Sequence, residues 1–479
     1  MLTPARSRRF RNLFFPAALA AMLAPCVAVA ELPSRLVLKS PRVVGEERSL
    51  SWTHPFAGWT YDVQSQETLG APWSPAPGGS GLGAKAWSET RPAPDGGRWY
   101  RVVANPPPGS RGRLVSAAKV TSYSVGTLGF LFAFAGVPLV PQHDVDVYKL
   151  VYETVDPFGA PTLVSAELAV PTTTTVPVPS WPLLAYAHGT ALARSDVPST
   201  PNNTEGLAGV AMATSGYVSV LPDYLGLGDS ALAHPYHHAA SEATCMVDGL
   251  RAARLAAAAK GILLTGQLFL CGYSQGGHAA MATLRELERH HAGEFAVTAC
   301  AAMAGAYDLS GVSLDDALTD RQPPNPYYFA YLMKTLVDLY QIAPTFGSML
   351  REPYATKVPP LFDGLHDGSE VNAAMPTVPK LAMKPEIVQA LASDPNHPVR
   401  VALRDNDLTG FRPVARLRLY HCSGDLDVLP ANSAVALSRY RELGATQVEL
   451  LDPMPGAGHG DCSQPSLLAA KAWFDSLRQ

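Results

Sequence analysis

One stretch, Gly272-Tyr273-Ser274-Gln275-Gly276, limits what this chain can fold into more than any other part of it. The apolar run Gln267-Leu268-Phe269-Leu270 before it has the length of a buried strand, and Ala279 to Glu288 after it is rich in helix formers. A serine framed by two glycines on a strand-to-helix turn is a nucleophile elbow. Such a turn is strained, and Gly272 and Gly276 leave room where a Cβ would clash. The strain lifts the Ser274 hydroxyl above the sheet edge, and the helix start behind it aims backbone N–H groups at an oxyanion formed there. The pattern is short, so its weight depends on whether partner residues follow in the right order.

The flanking pattern supplies a matching scaffold. Val145 to Glu153 and Leu163 to Val170 alternate and predict a hairpin. Continuous apolar strands follow at Leu183–Tyr186, Val218–Leu221, Leu268–Leu270, Val297–Met303, Leu417–Tyr420 and Val448–Leu451. Helical stretches separate most of them, notably Ala239–Ala259 and Gly276–His290. This alternation predicts an α/β fold with a mostly parallel central sheet covered on both faces. The strand pattern stops between about residues 309 and 416, where Tyr327–Ile342 and Glu386–Leu391 have helical periodicity; a helical cap insertion is expected there. The apolar run Leu128–Val140 is too short to span a bilayer and is expected to pack on the core.

An elbow serine needs an acid and then a base downstream. The strand Leu417–Tyr420 runs into His421-Cys422-Ser423-Gly424-Asp425-Leu426-Asp427-Val428. Asp425, with Val428 three residues on, is the expected acid, and Asp427 is the alternative. The last strand leads to Gly456-Ala457-Gly458-His459-Gly460, where His459 is expected as the base. His421 and His278 are the other candidates, but neither follows the last strand. The oxyanion hole is expected from the N–H of Gln275, after the nucleophile, and that of Thr190 in the loop Tyr186-Ala187-His188-Gly189-Thr190. His188 is expected to brace that loop. No role is evident for Glu242 or Asp248.

Export is written at the start of the chain. Arg6, Arg8, Arg9 and Arg11 precede the apolar stretch Leu13–Leu23 and an Ala28-Val29-Ala30 cleavage pattern, so residues 1–30 read as a signal peptide and the protein as secreted or periplasmic. No integral membrane segment is expected after its removal. Five cysteines then remain, in a compartment where they can pair. Cys271 falls in the elbow strand and reads as core. Cys422 and Cys462 each lie three residues from a proposed catalytic residue, so a disulfide between them would fix the acid and base loops together. A formal net charge of −4 gives no support to nucleic-acid binding. No metal-ligand spacing or phosphate-binding glycine loop is found, so neither metal nor cofactor is expected.

Residues 31–108 form a separate block of short alternating runs, including Ser49–Trp52, Tyr61–Gln64 and Trp99–Val103, divided by Pro/Gly/Ser turns. A small all-β sandwich-like domain is expected. The block resembles fibronectin type III modules, and Pro106-Pro107-Pro108-Gly109 reads as its linker. It reads as a spacer or as a contact to a surface or polysaccharide.

The region 114–479 resembles the secretory lipase family. The resemblance rests on Tyr186–Thr190, Asp196-Val197-Pro198-Ser199, Pro222-Asp223-Tyr224-Leu225-Gly226-Leu227-Gly228, His234-Pro235-Tyr236, Gly272–Gly277 and the Asp425 and His459 loops. It implies an α/β-hydrolase fold with a helical lid inserted before the acid, and an esterase or lipase acting on small-molecule or lipid esters. Two alternatives stand beside it. A serine peptidase of the prolyl oligopeptidase type shares the fold, but residues 31–108 are too few for its propeller. A non-catalytic binding protein of this fold usually lacks a triad residue, and none is missing here.

Overall fold

The computed structural model describes residues 37–39, 42–44, 46–53, 60–66, 74–90, 99–105, 111–173, 179–201 and 203–479. The leader at residues 1–30 and the linker at 106–109 lie outside the described residues.

Seven short strands come first: β1 (Val37–Leu38), β2 (Arg42–Val44), β3 (Glu47–Thr53), β4 (Thr60–Gln66), β5 (Ser74–Pro75), β6 (Ala86–Thr90) and β7 (Trp99–Asn105). They form two antiparallel sheets. In one, β3 pairs with β1, β2 and β6; in the other, β4 pairs with β5 and β7. Leu50, Trp52, Tyr61, Val63, Ala76 and Trp87 share a single cluster between them.

The remaining strands build one sheet: β8 (Leu114–Tyr123), β9 (Asp144–Val155), β10 (Pro161–Thr172), β11 (Ser180–Ala187), β12 (Val218–Pro222), β13 (Leu263–Tyr273), β14 (Val297–Met303), β15 (Arg416–Tyr420) and β16 (Val448–Leu451). The order across it is β16-β15-β14-β13-β11-β12-β10-β9-β8. From β12 to β16 the neighbours are parallel; β8, β9 and β10 add antiparallel pairs at one edge. The expected hairpin is β9 and β10, paired from Val155↔Pro161 to Asp144↔Thr172.

Strand periodicity divides the core. In β13, Leu268 and Leu270 face one cluster while Phe269, Cys271 and Tyr273 face the other. The first face is covered by α3 (Ala239–Ala259), α4 (Gln275–His290) and α11 (Ala431–Glu442), through residues such as Ala253, Leu284 and Tyr440. The second is covered by α2 (Thr204–Thr214) and α12 (His459–Leu477), through Met212, Ala470 and Phe474. Both faces are dry, which explains why these strands read as continuous apolar runs.

The chain passes from β11 through α2 to β12 on one side, then through α3 to β13 on the other. Strand order therefore reverses at β11. From this point the chain leaving β11 and the chain leaving β13 run to opposite faces of the sheet, the place where open α/β sheets put their sites. Thr190 lies in the loop leaving β11 and Ser274 directly follows β13.

Between β14 and β15 the chain forms α5 (Leu314–Ala317), α6 (Tyr327–Tyr340), α7 (Tyr354–Lys357), α8 (Gly368–Ala374), α9 (Pro385–Ser393) and α10 (Pro398–Asp405). This insertion has a hydrophobic cluster of its own, including Met333, Leu336, Phe346, Val371, Leu391 and Val399. The helix expected over Tyr327–Ile342 stops two residues early, because Gln341 takes a left-handed conformation.

The run Leu128–Val140 is only half core. Helix α1 (Val125–Phe134), capped by Ser124, buries Leu128 and Phe132 against Val145, Val147, Ala169, Val210 and Ala213. Phe130 and Phe134 project from the opposite face and are 70% and 85% exposed. Helical spacing splits the run, since apolar residues occur all round the helix and only one stripe can meet the sheet. The two faces should respond differently to mutation. In urea denaturation, Leu128→Ala should cost about 2–5 kcal/mol, whereas Phe130→Ser should stay within about 0.5 kcal/mol of the parent. Equal losses would show that α1 does not pack this way.

Candidate active site

Ser274 joins β13 to α4 with φ 60° and ψ −121°, a conformation that non-glycine residues seldom adopt. The neighbouring backbone holds it there. A Cβ at Gly276 would lie 1.9 Å from the Ala187 carbonyl oxygen, and one at Gly272 would lie 2.2 Å from the Gly276 oxygen. The start of α4 is thus pressed directly against the end of β11. Ser274 N–H donates to Met303 O at 2.9 Å, which fixes the turn to β14 as well.

Two later loops converge on Ser274. His459 opens α12 and sets its Nε2 2.8 Å from Ser274 Oγ. Its Nδ1 lies 2.6 Å from Asp425 Oδ2. Tyr273 OH donates to the His459 carbonyl at 2.5 Å and ties His459 to the elbow strand. The two loops meet closely, since a Cβ at Gly424 would lie 2.2 Å from the Gly456 carbonyl oxygen. The Cys422–Cys462 disulfide spans the same junction.

Asp425 is buried and well supplied with donors. Its Oδ1 accepts N–H groups from Asp427 and Val428, both at 2.9 Å. Burial alone would raise its pKa. Hydrogen bonds from His421 and His459 outweigh that and hold the carboxyl well below the ordinary carboxylate range. Asp427, the alternative acid, is turned away from His459 and accepts from Asn325 N and Nδ2, both at 2.9 Å, at the foot of α6. His421 stands behind Asp425 instead of above Ser274: its Nε2 is 2.8 Å from Val428 O and 3.2 Å from Asp425 Oδ2, and its Nδ1 meets Ser433 Oγ at 2.7 Å. His278 is a buried residue in the first turn of α4 and touches Glu242 and Asn406.

Thr190 follows β11 beside the elbow. Its Oγ lies 3.0 Å from Tyr236 OH, and Tyr236 stacks flat on Tyr331 of α6 at 4.4 Å. His188 is buried, stacked on Tyr224 at 4.3 Å, with its ring nitrogens 2.8 Å from Gly189 O and 3.2 Å from Asp223 O. Gln275 begins α4, so its N–H has no partner within the helix.

A cleft with about 740 Å³ of open space lies against the insertion, lined in part by Leu309, Phe329, Leu332, Val428 and Leu429. Ser274 and His459 do not form its wall. It adjoins them through Tyr236, which meets Thr190, and through Val428, which meets Asp425.

Two helical carboxylates without an expected role have clear ones. Asp248 accepts from Arg111 at 3.0 Å, Arg251 at 2.8 Å and Thr154 at 2.8 Å, and so anchors the start of the sheet region to α3. Glu242 is buried beneath the elbow and meets Gln275 and His278. Apart from Arg251, one turn along α3 from Asp248, the partners are far apart in the chain, so no sequence signal marked these contacts.

The secretory lipase family model matches residues 194–316. The rice cell wall degrading esterase LipA from Xanthomonas oryzae is 31% identical, over 77% of this chain and 96% of that one, with a TM-score of 0.67. The chain belongs to the secretory lipase family. A Legionella pneumophila protein is 27% identical over 76% of this chain and 98% of that one, with a TM-score of 0.70. Candida antarctica lipase A in its closed state, at 15% identity over 77% of this chain and 83% of that one and a TM-score of 0.55, shares the fold. No curated protein matches the sequence. Family and esterase relatives together make this a hydrolase acting on esters.

The cysteines are the simplest check on the geometry. Cys245, Cys271 and Cys300 are free and buried, and the Cys422–Cys462 bond closes 40 residues of chain. Unfolded but unreduced mature protein should titrate only those free thiols. Replacing Cys422 and Cys462 together by alanine should cost roughly 3–4 kcal/mol in chemical denaturation. Finding both cysteines reactive in native protein would contradict the loop arrangement.

Proposed function

We propose that this member of the secretory lipase family is a secreted or periplasmic serine hydrolase that cleaves carboxylic esters through an acyl-enzyme on Ser274. The observation that carries the reading is the hydrogen-bonded path from Ser274 Oγ through His459 to Asp425, with links of 2.8 and 2.6 Å. His459 Nε2 takes the hydroxyl proton as Ser274 Oγ attacks the acyl carbon. Asp425 holds the other ring nitrogen and stabilises the imidazolium that forms. The N–H groups of Gln275 and Thr190 receive the oxyanion. His459 then protonates the departing alcohol, and water repeats the sequence to release the acid.

The strained φ of Ser274 supports the nucleophile assignment, since such backbone persists where the surroundings enforce it. The apolar cleft under the insertion supports an acyl chain as the group bound there. On this reading the insertion acts as a lid over that chain. Export is supported by the leader pattern and by the family; among the described residues no helix is long and apolar enough to cross a membrane. The two small sheets before residue 106 serve as a fibronectin type III-like spacer or surface contact. Because a relative is a cell wall degrading esterase, cell-wall esters belong among the first substrates to try.

Hydrolysis of p-nitrophenyl esters from acetate to palmitate tests the reading. Ser274→Ala should lower kcat by about 10⁴-fold or more, and Asp425→Asn by about 10⁴-fold while the protein stays folded. Unchanged turnover in Ser274→Ala refutes the nucleophile.

The pH profile should have a single acid limb. Protonating His459 removes the lone pair that accepts the Ser274 proton, so kcat falls as the pH falls. Asp425 is held below the ordinary carboxylate range and stays ionised through that limb. A kcat that does not fall as the pH is lowered would argue against His459 as the base.

A further inference from the structure

The side chain of Gln275 is fully buried, and its amide group is held on two sides. Nε2 lies 3.0 Å from Glu242 Oε1 and 2.8 Å from His234 Nε2. His234 Nδ1 faces the Leu225 carbonyl at 2.7 Å, so Nδ1 carries the hydrogen and Nε2 is free to accept. Both amide hydrogens of Gln275 therefore have acceptors, which leaves its side chain one orientation.

Glu242 is buried in the first turn of α3, and its other oxygen lies 2.6 Å from His278 Nδ1. His278 Nε2 lies 3.0 Å from the Asn406 carbonyl oxygen. A carbonyl only accepts, so Nε2 bears a hydrogen. His278 Nδ1 faces the Glu242 carboxylate at 2.6 Å, so a proton lies between the two buried side chains. Burial would raise the Glu242 pKa, but the charge and hydrogen bond of His278 outweigh it and bring it to about 2.

His237, Glu242 and His278 also converge closely enough to suggest a metal set. The bonding argues otherwise. A nitrogen–oxygen separation of 2.6 Å is that of a charge-assisted hydrogen bond, and it occupies the one His278 nitrogen that could serve as a ligand.

We propose that the buried, hydrogen-bonded Glu242–His278 pair is a positioning device that locks the Gln275 side chain and thereby aims the Gln275 N–H at the oxyanion. This inference rests on the ester-hydrolase reading above. Gln275 is the first residue of α4, so its side chain and its oxyanion-facing N–H share one backbone unit. The same pair reaches the insertion, because Asn406 follows α10 and its Oδ1 accepts the N–H of Ala239 at the start of α3.

The test compares Glu242→Gln, Gln275→Met and the double variant on p-nitrophenyl acetate, with Ser274→Ala in the same assay. Glu242→Gln keeps the shape but removes the charge. It should lower kcat about 10- to 100-fold, with KM within about two-fold of the parent. The double variant should lose no more than Gln275→Met alone, because both changes break one arrangement. A kcat in Glu242→Gln within about two-fold of the parent, or losses that multiply in the double variant, would overturn the proposal. If Glu242→Gln does not fold, Gln275→Met decides alone: its kcat must fall by a similar factor at unchanged KM, and full turnover overturns the proposal. A parent without esterase activity, or an active Ser274→Ala, would instead mean that the hydrolase reading itself has failed.

Discussion

The contact that the rest of the site depends on is the one between the first turn of α4 and the end of β11. With the position of a Gly276 Cβ only 1.9 Å from the Ala187 carbonyl oxygen, no other residue fits there without moving the backbone. The approach sets the loop carrying Thr190 beside the N-terminus that carries Gln275, so two N–H groups proposed for the oxyanion come from segments that are distant in sequence. It also forces Ser274 into its positive φ, which raises the hydroxyl toward His459. A second close approach, Gly424 against Gly456, does the same for the loops that carry Asp425 and His459. Both junctions are backbone against backbone, so side-chain repacking cannot relieve a larger residue at either.

Much of this was legible in the sequence because it depends on local pattern. Glycines around Ser274 announce a tight turn, apolar runs announce strands buried on both faces, and the order of Asp425 and His459 follows the order of the last strands. The preference for Asp425 over Asp427 rested on the spacing to Val428, and the physical reason lies in the bonds: Val428 N–H feeds Asp425, while Asp427 is engaged by Asn325. The split of α1 into a buried and an exposed face was not legible, because Leu128, Phe130, Phe132 and Phe134 are equally apolar and only the neighbouring sheet distinguishes them. The polar groups under the elbow were illegible for another reason. Glu242, Gln275, His278 and Asn406 have no shared spacing, and their partnership exists only after α3, α4 and the insertion pack together.

Those buried groups connect the insertion to the catalytic elements in more than one place. Asn325 at the foot of α6 holds Asp427, two residues from the proposed acid. Tyr331 of the same helix stacks on Tyr236, whose hydroxyl meets Thr190. Asn406 at the far end accepts from His278 and from the start of α3. Most of the hydrophobic cluster under the insertion comes from the insertion itself, with Leu192 and Tyr236 joining it from the sheet side. The position of the polar links is informative: one lies beside the acid loop, one beside the Thr190 loop and one beneath the elbow. A displacement of the insertion as a body would strain all three at once, and each link ends within three residues of a group proposed for acyl transfer. Phe329 and Leu332 of α6 line the cleft beneath the insertion. Tyr331 on that helix bears on Tyr236, and Tyr236 bears on Thr190, so the cleft wall and the Thr190 loop are joined by one chain of contacts.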